Sequence, residues 1–145
     1  MTYIPEKLRH QVRELAQRQC EYCLLDERCA AKPHEPDHIC PEKHGEDTVI
    51  DNLCLSCFDC NRHKGSDLCS LDLDTGAIVP LFHPRQNRWN DHFRLIGTLI
   101  EPLTPTARAT VRLLKINSEE RVEEREALLR VGKYPEYSTE DQSDQ

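Results

Sequence analysis

Two Cys-x-x-Cys pairs restrict the folds open to this chain more than any other feature. Cys20 and Cys23 form the first pair, and Cys57 and Cys60 form the second. Two thiol pairs separated by a long loop supply the four ligands that tetrahedral structural zinc prefers. Two disulfides or four buried thiols are the alternatives. Residues 1–10 are charged and do not read as a secretory signal, so we expect a cytoplasmic protein whose reducing surroundings favour zinc over disulfides.

Four polar residues near the second pair offer the parts of a site for phosphodiester hydrolysis. This reaction needs a base, a cation that neutralises the transition state, and stabilisation of the departing oxygen. His38 is the natural base, because imidazole has the unperturbed pKa nearest neutrality. The amide oxygen of Asn61 is a hard ligand that suits magnesium. Asp37 neighbours His38 in an extended segment, so it can bind the same metal only where the strand bends; Asn52 lies on the facing strand.

At these positions the chain resembles the HNH endonuclease family, in the version braced by a four-cysteine zinc site. The resemblance rests on Asp-His-Ile-x-Pro at 37–41, Asn-Leu at 52–53 and Cys-x-x-Cys-Asn-x-x-Lys-Gly at 57–65, and it covers about residues 5–66. It implies an α+β fold with a ββα-metal core, an N-terminal helix, further short strands and two C-terminal helices. It also implies an endonuclease that hydrolyses DNA, with RNA as an open alternative.

The resemblance assigns a role to each site residue. His38 becomes the general base and Asn52 orients the His38 ring from the facing strand. Asp37 and Asn61 hold the catalytic cation, which is Mg²⁺ or another divalent ion. The structural Zn²⁺ is bound by Cys20, Cys23, Cys57 and Cys60. Colicin-like members carry a further histidine ligand where this chain has Gly65, and its absence favours a magnesium-type site over one for transition metals.

Basic residues near the motif are candidate contacts to the nucleic-acid backbone. They are Arg9, Arg13 and Arg18 on the predicted first helix, and Arg62 and Lys64 beside the site. A solvated, non-binding face explains them as well. The formal net charge of −7 is unfavourable for binding phosphates, but the acidic excess is concentrated after Ser118. We therefore expect modest, salt-sensitive affinity and little readout of base sequence.

The apolar pattern predicts the order of elements and three parts of the chain. A helix from Pro5 to Gln19 has a buried stripe of Leu8, Val12 and Leu15, a hairpin follows near 37–40 and 52–55, and a helix over 59–64 ends at Gly65. Two further hairpins and helices over 104–116 and 118–131 complete the fold. We expect a nuclease core at 1–70, an extension packed on it at 71–134, and a disordered acidic tail at 135–145.

The remaining cysteines and histidines carry weaker predictions. Cys29, Cys40, Cys54 and Cys69 lack paired spacing and are interpreted as small buried hydrophobes. His34, His44 and His63 are interpreted as surface or phosphate-contacting groups. Trp89 is expected to pack in the core.

Two other functions stay open at this stage. The chain has no apolar run long enough for a membrane span, and the family resemblance implies that nucleic acid is the partner. The main alternative is a zinc module that binds nucleic acid or protein without cleaving it. A toxin-like nuclease with a partner immunity protein is a third reading, although the sequence names no protein partner.

Overall fold

The structure is a computed structural model, and it is described here for residues 3–137. Its helices are α1 Glu6–Leu15, α2 Phe58–Lys64, α3 Trp89–His92, α4 Pro105–Leu113 and α5 Glu119–Arg130. Its strands are β1 Glu35–His38, β2 Leu53–Ser56, β3 Cys69–Leu71, β4 Ile78–Pro80, β5 Phe93–Ile96 and β6 Leu99–Pro102. They pair in sequence order as antiparallel two-stranded sheets. No helix within residues 3–137 is long and apolar enough to cross a bilayer.

β1, β2 and α2 form the predicted ββα unit. Asp37 faces Cys54 and His38 faces Leu53 across the hairpin. β1 ends at His38, three residues before Pro41, and α2 begins one residue after Cys57 and packs on β1. Gly65 ends α2 with a positive φ of 53°, a conformation that favours glycine. The mixed α and β fold class and its core are therefore confirmed.

Helix α1 is shorter than predicted because the chain reverses direction after it. Gln17 and Arg18 both have positive φ angles, so α1 ends at Leu15 and a turn brings Cys20 beneath the hairpin. Val12 is buried against Leu53, as the stripe predicts. Leu15 is 55% exposed, so its predicted place in the buried stripe is wrong.

One core cluster joins the cysteine pairs to the second half of the chain. Its members include the four paired cysteines together with Tyr22, Trp89, Phe93, Ile100, Leu114 and Ile116. Trp89 is 3% exposed and its indole N–H donates to the Tyr22 carbonyl at 2.9 Å. The predicted packing role of Trp89 is confirmed.

The second half of the chain follows the predicted order, with one additional short helix, α3, and with charged side chains buried in the predicted helix α5. Thr104 caps α4 by accepting a hydrogen bond from the Ala107 N–H, as its sequence indicates. Helix α5 buries Arg121 and Arg125 where an apolar stripe would be expected. The Arg125 guanidinium is satisfied by the Thr98 and Ile116 carbonyls and the Asn117 side chain. The predicted tail spans residues 135–145, and residues 138–145 of it lie outside the described part. Within the described part of the tail, the Tyr137 N–H donates to the Gln19 side chain.

Candidate active site and zinc site

The four paired cysteines form a compact, buried cluster. Their Sγ atoms all lie within 4.8 Å of one another. In each pair the backbone N–H of the second cysteine donates to the first sulfur, at 3.5 Å for Cys23 to Cys20 and 3.4 Å for Cys60 to Cys57. Burial raises the pKa of the Cys60 thiol, so a positive charge is needed to keep these sulfurs as thiolates. The donor set and its spacing fit a structural zinc ion.

A residue of the C-terminal helix completes the surroundings of this cluster. The Arg121 guanidinium is buried and lies 2.9 Å from the Cys60 Sγ and 3.7 Å from the Cys57 Sγ. It also donates to the Leu114 carbonyl at 2.7 Å. Four thiolates around one divalent ion leave a net charge of −2, which a guanidinium at this position partly neutralises. No spacing pattern indicates this contact, because Arg121 lies 61 residues after Cys60.

His38 is held by a hydrogen-bonded pair of side chains from the loop between β1 and β2. Its Nε2 lies 2.8 Å from the Thr48 Oγ1, and the Thr48 hydroxyl donates to the Glu42 Oε1 at 3.3 Å. A hydroxyl that donates to Glu42 accepts from His38, so we assign the ring proton to Nε2. This leaves the Nδ1 lone pair available to accept a proton. Neither Thr48 nor Glu42 belongs to a sequence motif, so the sequence did not predict their contact with His38.

Asn52 does not contact the His38 ring, which differs from the predicted role. Its side-chain oxygen accepts from the Cys40 N–H at 2.9 Å, and its amide donates to the Cys40 and Asp47 carbonyls at 2.7 and 3.0 Å. These bonds close the loop that carries Thr48. Asn52 therefore holds the backbone of this loop and makes no hydrogen bond to the His38 ring, because every polar atom of its side chain is used on the backbone.

Asp37 lies on β1 next to the base, and Lys64 of α2 lies close enough to influence it. Burial raises the pKa of the Asp37 carboxyl, and the positive charge of Lys64 opposes that rise. Lys64 is only 3% exposed and its ammonium donates to the Ile39 carbonyl at 2.9 Å. The prediction of Lys64 as a surface phosphate contact therefore needs correction, since its charge sits inside the protein.

Asn61 is the first residue after the second cysteine pair and lies on α2. Helix α2 packs on β1, which is the strand that carries Asp37 and His38. Within residues 3–137 its side-chain amide has no hydrogen-bond partner. A half-buried carboxylate at Asp37 and a free amide oxygen at Asn61 are hard donors that fit a small divalent cation. The set stays open for water and a substrate phosphate.

The basic residues predicted to contact nucleic acid differ in their exposure and in the partners that they already have. Arg62 has a 58% exposed side chain and pairs weakly with Asp59 of its own helix at 3.5 Å. Arg9 donates to the Ile4 carbonyl, and Arg13 is held by Glu27 and the His34 carbonyl. Arg62 is therefore more accessible than Arg9 or Arg13, Arg18 is exposed as well, and Arg13 has a structural role in fixing α1.

Several weaker predictions are corrected by burial. His34 is fully buried and its Nε2 bonds the Leu25 carbonyl, so it is not a surface group. Cys54 is buried as expected, Cys29 and Cys40 are half-buried, and Cys69 is exposed. Cys69 is exposed because it lies on β3, which belongs to a two-stranded hairpin at the surface.

The comparison with protein families agrees with this geometry. Residues 20–67 match the family model described as HNH endonuclease, so this part of the chain is similar to HNH endonuclease domains. The match spans both cysteine pairs, the hairpin and α2, and it indicates nuclease activity in general. No curated protein and no solved structure gives a significant match to the chain.

Proposed function

We propose that this protein is a metal-dependent endonuclease that hydrolyses DNA phosphodiester bonds with His38 as general base. The observation that carries the proposal is the hydrogen bond between the His38 Nε2 and the Thr48 Oγ1. This bond leaves the lone pair of Nδ1 available. An imidazole tied at one nitrogen and free at the other is the arrangement that a positioned base requires.

In this mechanism His38 takes a proton from water through Nδ1. The Thr48 hydroxyl keeps the ring in place and accepts from the Nε2–H, while Glu42 stabilises the positive ring that forms. Asp37 and Asn61 would hold a divalent cation, which would supply charge neutralisation at the phosphate and the departing 3′ oxygen. The expected products carry a 5′-phosphate and a 3′-hydroxyl. A single site of this kind cuts one strand in each encounter.

The deciding experiment measures nicking of supercoiled plasmid by zinc-loaded protein with and without magnesium. His38→Ala removes the base, and we expect nicking to fall by about a hundredfold or more. His10→Ala is the matched control, because His10 is an exposed histidine on α1 with a 68% exposed side chain. Zinc content and circular dichroism of both variants should equal those of the wild type.

The outcomes separate the proposed nuclease from a non-cleaving zinc module. Magnesium-dependent nicking that His38→Ala abolishes and His10→Ala preserves supports the proposal. Equal activity in wild type and His38→Ala would overturn the assignment of the base. Binding of DNA with no cleavage under any divalent cation would instead favour the zinc module.

A further inference from the structure

A small cavity opens beside the catalytic hairpin and is not used by the mechanism above. Its volume is about 230 Å³. One wall is Ile39 and Cys40, the two residues that follow His38, and Lys64 of α2 lines it as well. The opposite wall comes from the second half of the chain, through Phe82 and its neighbours. The cavity is therefore shared between the nuclease domain and the extension.

The walls of the cavity combine apolar and polar side chains. The apolar lining includes Ile39, Phe82, Leu68, Pro80 and Leu81, and the polar lining is Lys64, Asp67, His83, Gln86, Asn87, His92 and Thr106. Pockets for drug-sized ligands begin at about 300 Å³, so a cavity of 230 Å³ suits one group of modest size. Apolar surface combined with convergent polar groups is typical of ligand-binding sites, and an aromatic ring with polar atoms at its edge suits both.

Two histidines, His83 and His92, line this cavity. The His83 Nδ1 accepts from the backbone N–H groups of Arg85 and Gln86 at 3.2 and 3.1 Å. The neutral His83 ring must therefore carry its proton on Nε2. The His92 Nδ1 lies 2.7 Å from the Thr104 Oγ1. Among residues 3–137 neither Nε2 has a partner, so both are available to a ligand.

Lys64 links the cavity electrostatically to the proposed active site. Its buried ammonium makes one hydrogen bond, to the Ile39 carbonyl, and has two further N–H groups. A buried cation is unfavourable unless it is compensated. Its charge acts on both Asp37 and His83, so it is close to the proposed metal-binding carboxylate as well as to the cavity. Because the cavity wall begins at Ile39, directly after His38, a ligand in the cavity is close to the proposed active site.

From this geometry we propose that the cavity receives an unpaired nucleobase of the nucleotide adjoining the scissile phosphate. The base lies between the apolar walls, and His83 and His92 bond to its edge. A base in a duplex is paired and stacked, so it reaches such a cavity only after leaving the helix, at a cost that is smallest for single strands and mismatches. The inference rests on the proposed nuclease function and names its substrate class: single-stranded or locally unpaired DNA.

The test compares a labelled single strand with the duplex of the same sequence. Cleavage is measured with wild-type protein and magnesium, and affinity with zinc-loaded His38→Ala. We expect the single strand to be bound and cut about tenfold better than the duplex, the change expected from one stacked base. After the preferred cut is mapped, an abasic nucleotide on one side of it should lower both values by about tenfold.

A pair of tryptophan substitutions tests the cavity itself. Leu68→Trp fills the cavity from its rim, and Leu71→Trp is the matched control, since both leucines are 39% exposed and Leu71 is not among the lining residues. We expect Leu68→Trp to lower single-strand affinity by about tenfold and Leu71→Trp to leave it unchanged. Thermal unfolding of both variants checks that each remains folded.

Each result decides one of the two proposals. A duplex bound as well as the single strand, or a Leu68→Trp protein with wild-type affinity, would overturn the cavity proposal even if plasmid nicking is intact. If no substrate is cut under any divalent cation, the proposed catalysis fails, and the affinities of the His38→Ala protein still decide whether an unpaired base is bound.

Discussion

At the scale of single residues, the hydrogen-bonded side chains of Glu42, Thr48 and His38 are the most informative feature. Each member hydrogen-bonds the next, at 3.3 Å and 2.8 Å. The chain fixes both the orientation of the imidazole and the nitrogen that carries its proton. A base that must be in one tautomer and one rotamer is sensitive to the loss of a single hydroxyl group.

Replacing Thr48 by Val tests this chain with a side chain of the same shape. Thr48→Val removes the oxygen that accepts from Nε2, so the ring loses its preferred orientation and tautomer. We expect kcat to fall by about ten- to a hundredfold, with KM unchanged because Thr48 does not touch the substrate. The measurement is steady-state nicking of plasmid.

Thr48→Ser is the partner variant, because it keeps the oxygen and removes only a methyl group. It should restore most of the activity. A purely structural role for Thr48 would instead make Val and Ser variants fail together, or lower the melting temperature in proportion to the loss of kcat.

At the scale of elements, contacts within the extension hold the β3–β4 hairpin that borders the cavity. The turn between β3 and β4 is tied to α4 by Asp72, which is 1% exposed and accepts two hydrogen bonds from the Arg108 guanidinium, both at 2.9 Å. Asp72 also accepts from the Thr75 hydroxyl at 2.8 Å. This pairing fixes the hairpin whose Pro80 lines the nucleobase cavity.

The Asp72 pairing predicts an acid-sensitive contribution to stability. The Arg108 guanidinium holds the pKa of the Asp72 carboxyl well below its ordinary value of 3.8. Because the folded-state pKa is depressed, the ionised carboxylate stabilises the fold above about pH 4, and this contribution is lost as the pH falls further. We expect Asp72→Asn to lower the free energy of unfolding at pH 7, and the difference from wild type to shrink below pH 4.

Chemical denaturation at several pH values measures this difference. Asp51→Asn is the control, since Asp51 is exposed and should show no such pH dependence. A constant difference between wild type and Asp72→Asn from pH 7 to pH 3 would contradict the assigned pairing.

Helix α5 is the element that supports the zinc site from the second half of the chain. Arg121 contacts two of the four sulfurs, and its loss leaves the thiolate charge uncompensated. Residues that hydrogen-bond metal ligands change metal affinity by about ten- to a hundredfold when removed. We expect Arg121→Gln to release zinc faster by a factor in that range, with Arg121→Lys in between.

Zinc release to a chromogenic chelator measures this effect directly and does not depend on nuclease activity. Arg130→Gln is the control, because Arg130 is exposed at the end of the same helix. If Arg121→Gln and Arg130→Gln release zinc at the same rate, the contact is structural only.

At the scale of the whole molecule, the sequence predicted the elements better than the contacts between them. The cysteine pairs, the hairpin with α2 and the Thr104 cap follow local rules, because spacing and capping chemistry act within a few residues. Arg121 and the cavity depend on contacts between residues far apart in the chain, and the Thr48 contact depends on the path of the irregular loop between β1 and β2. Local patterns carry no signal for such contacts.

The buried arginines of α5 illustrate this limit most clearly. This helix is predicted from its ends, but it has no apolar stripe that would indicate which face is buried. Arg125 is nevertheless 2% exposed, because three acceptors from the β5–β6 turn and the end of α4 satisfy its guanidinium. Burial of a charge is stable only with such partners, and the partners become apparent only once the chain is folded.

Removal of zinc tests whether the two halves of the molecule depend on one metal site. The cysteines belong to the core cluster that also holds Trp89, and the indole of Trp89 bonds the carbonyl of Tyr22, between Cys20 and Cys23. Since Trp89 is the single tryptophan, its fluorescence reports on the zinc turn. We expect a zinc-selective chelator to shift the emission to longer wavelength and to lower the melting temperature of the whole protein.

The size of the effect follows from the energies involved. Structural zinc contributes about 10 kcal/mol or more to small zinc domains, whereas a domain of this size is stable by only about 5–15 kcal/mol in total. Loss of zinc should therefore unfold both halves together, and added zinc should reverse the change. Withholding magnesium is the control and should leave emission and melting temperature unaltered. A zinc-free protein that keeps its Trp89 emission and its melting temperature would show that hydrophobic packing alone maintains the shared core.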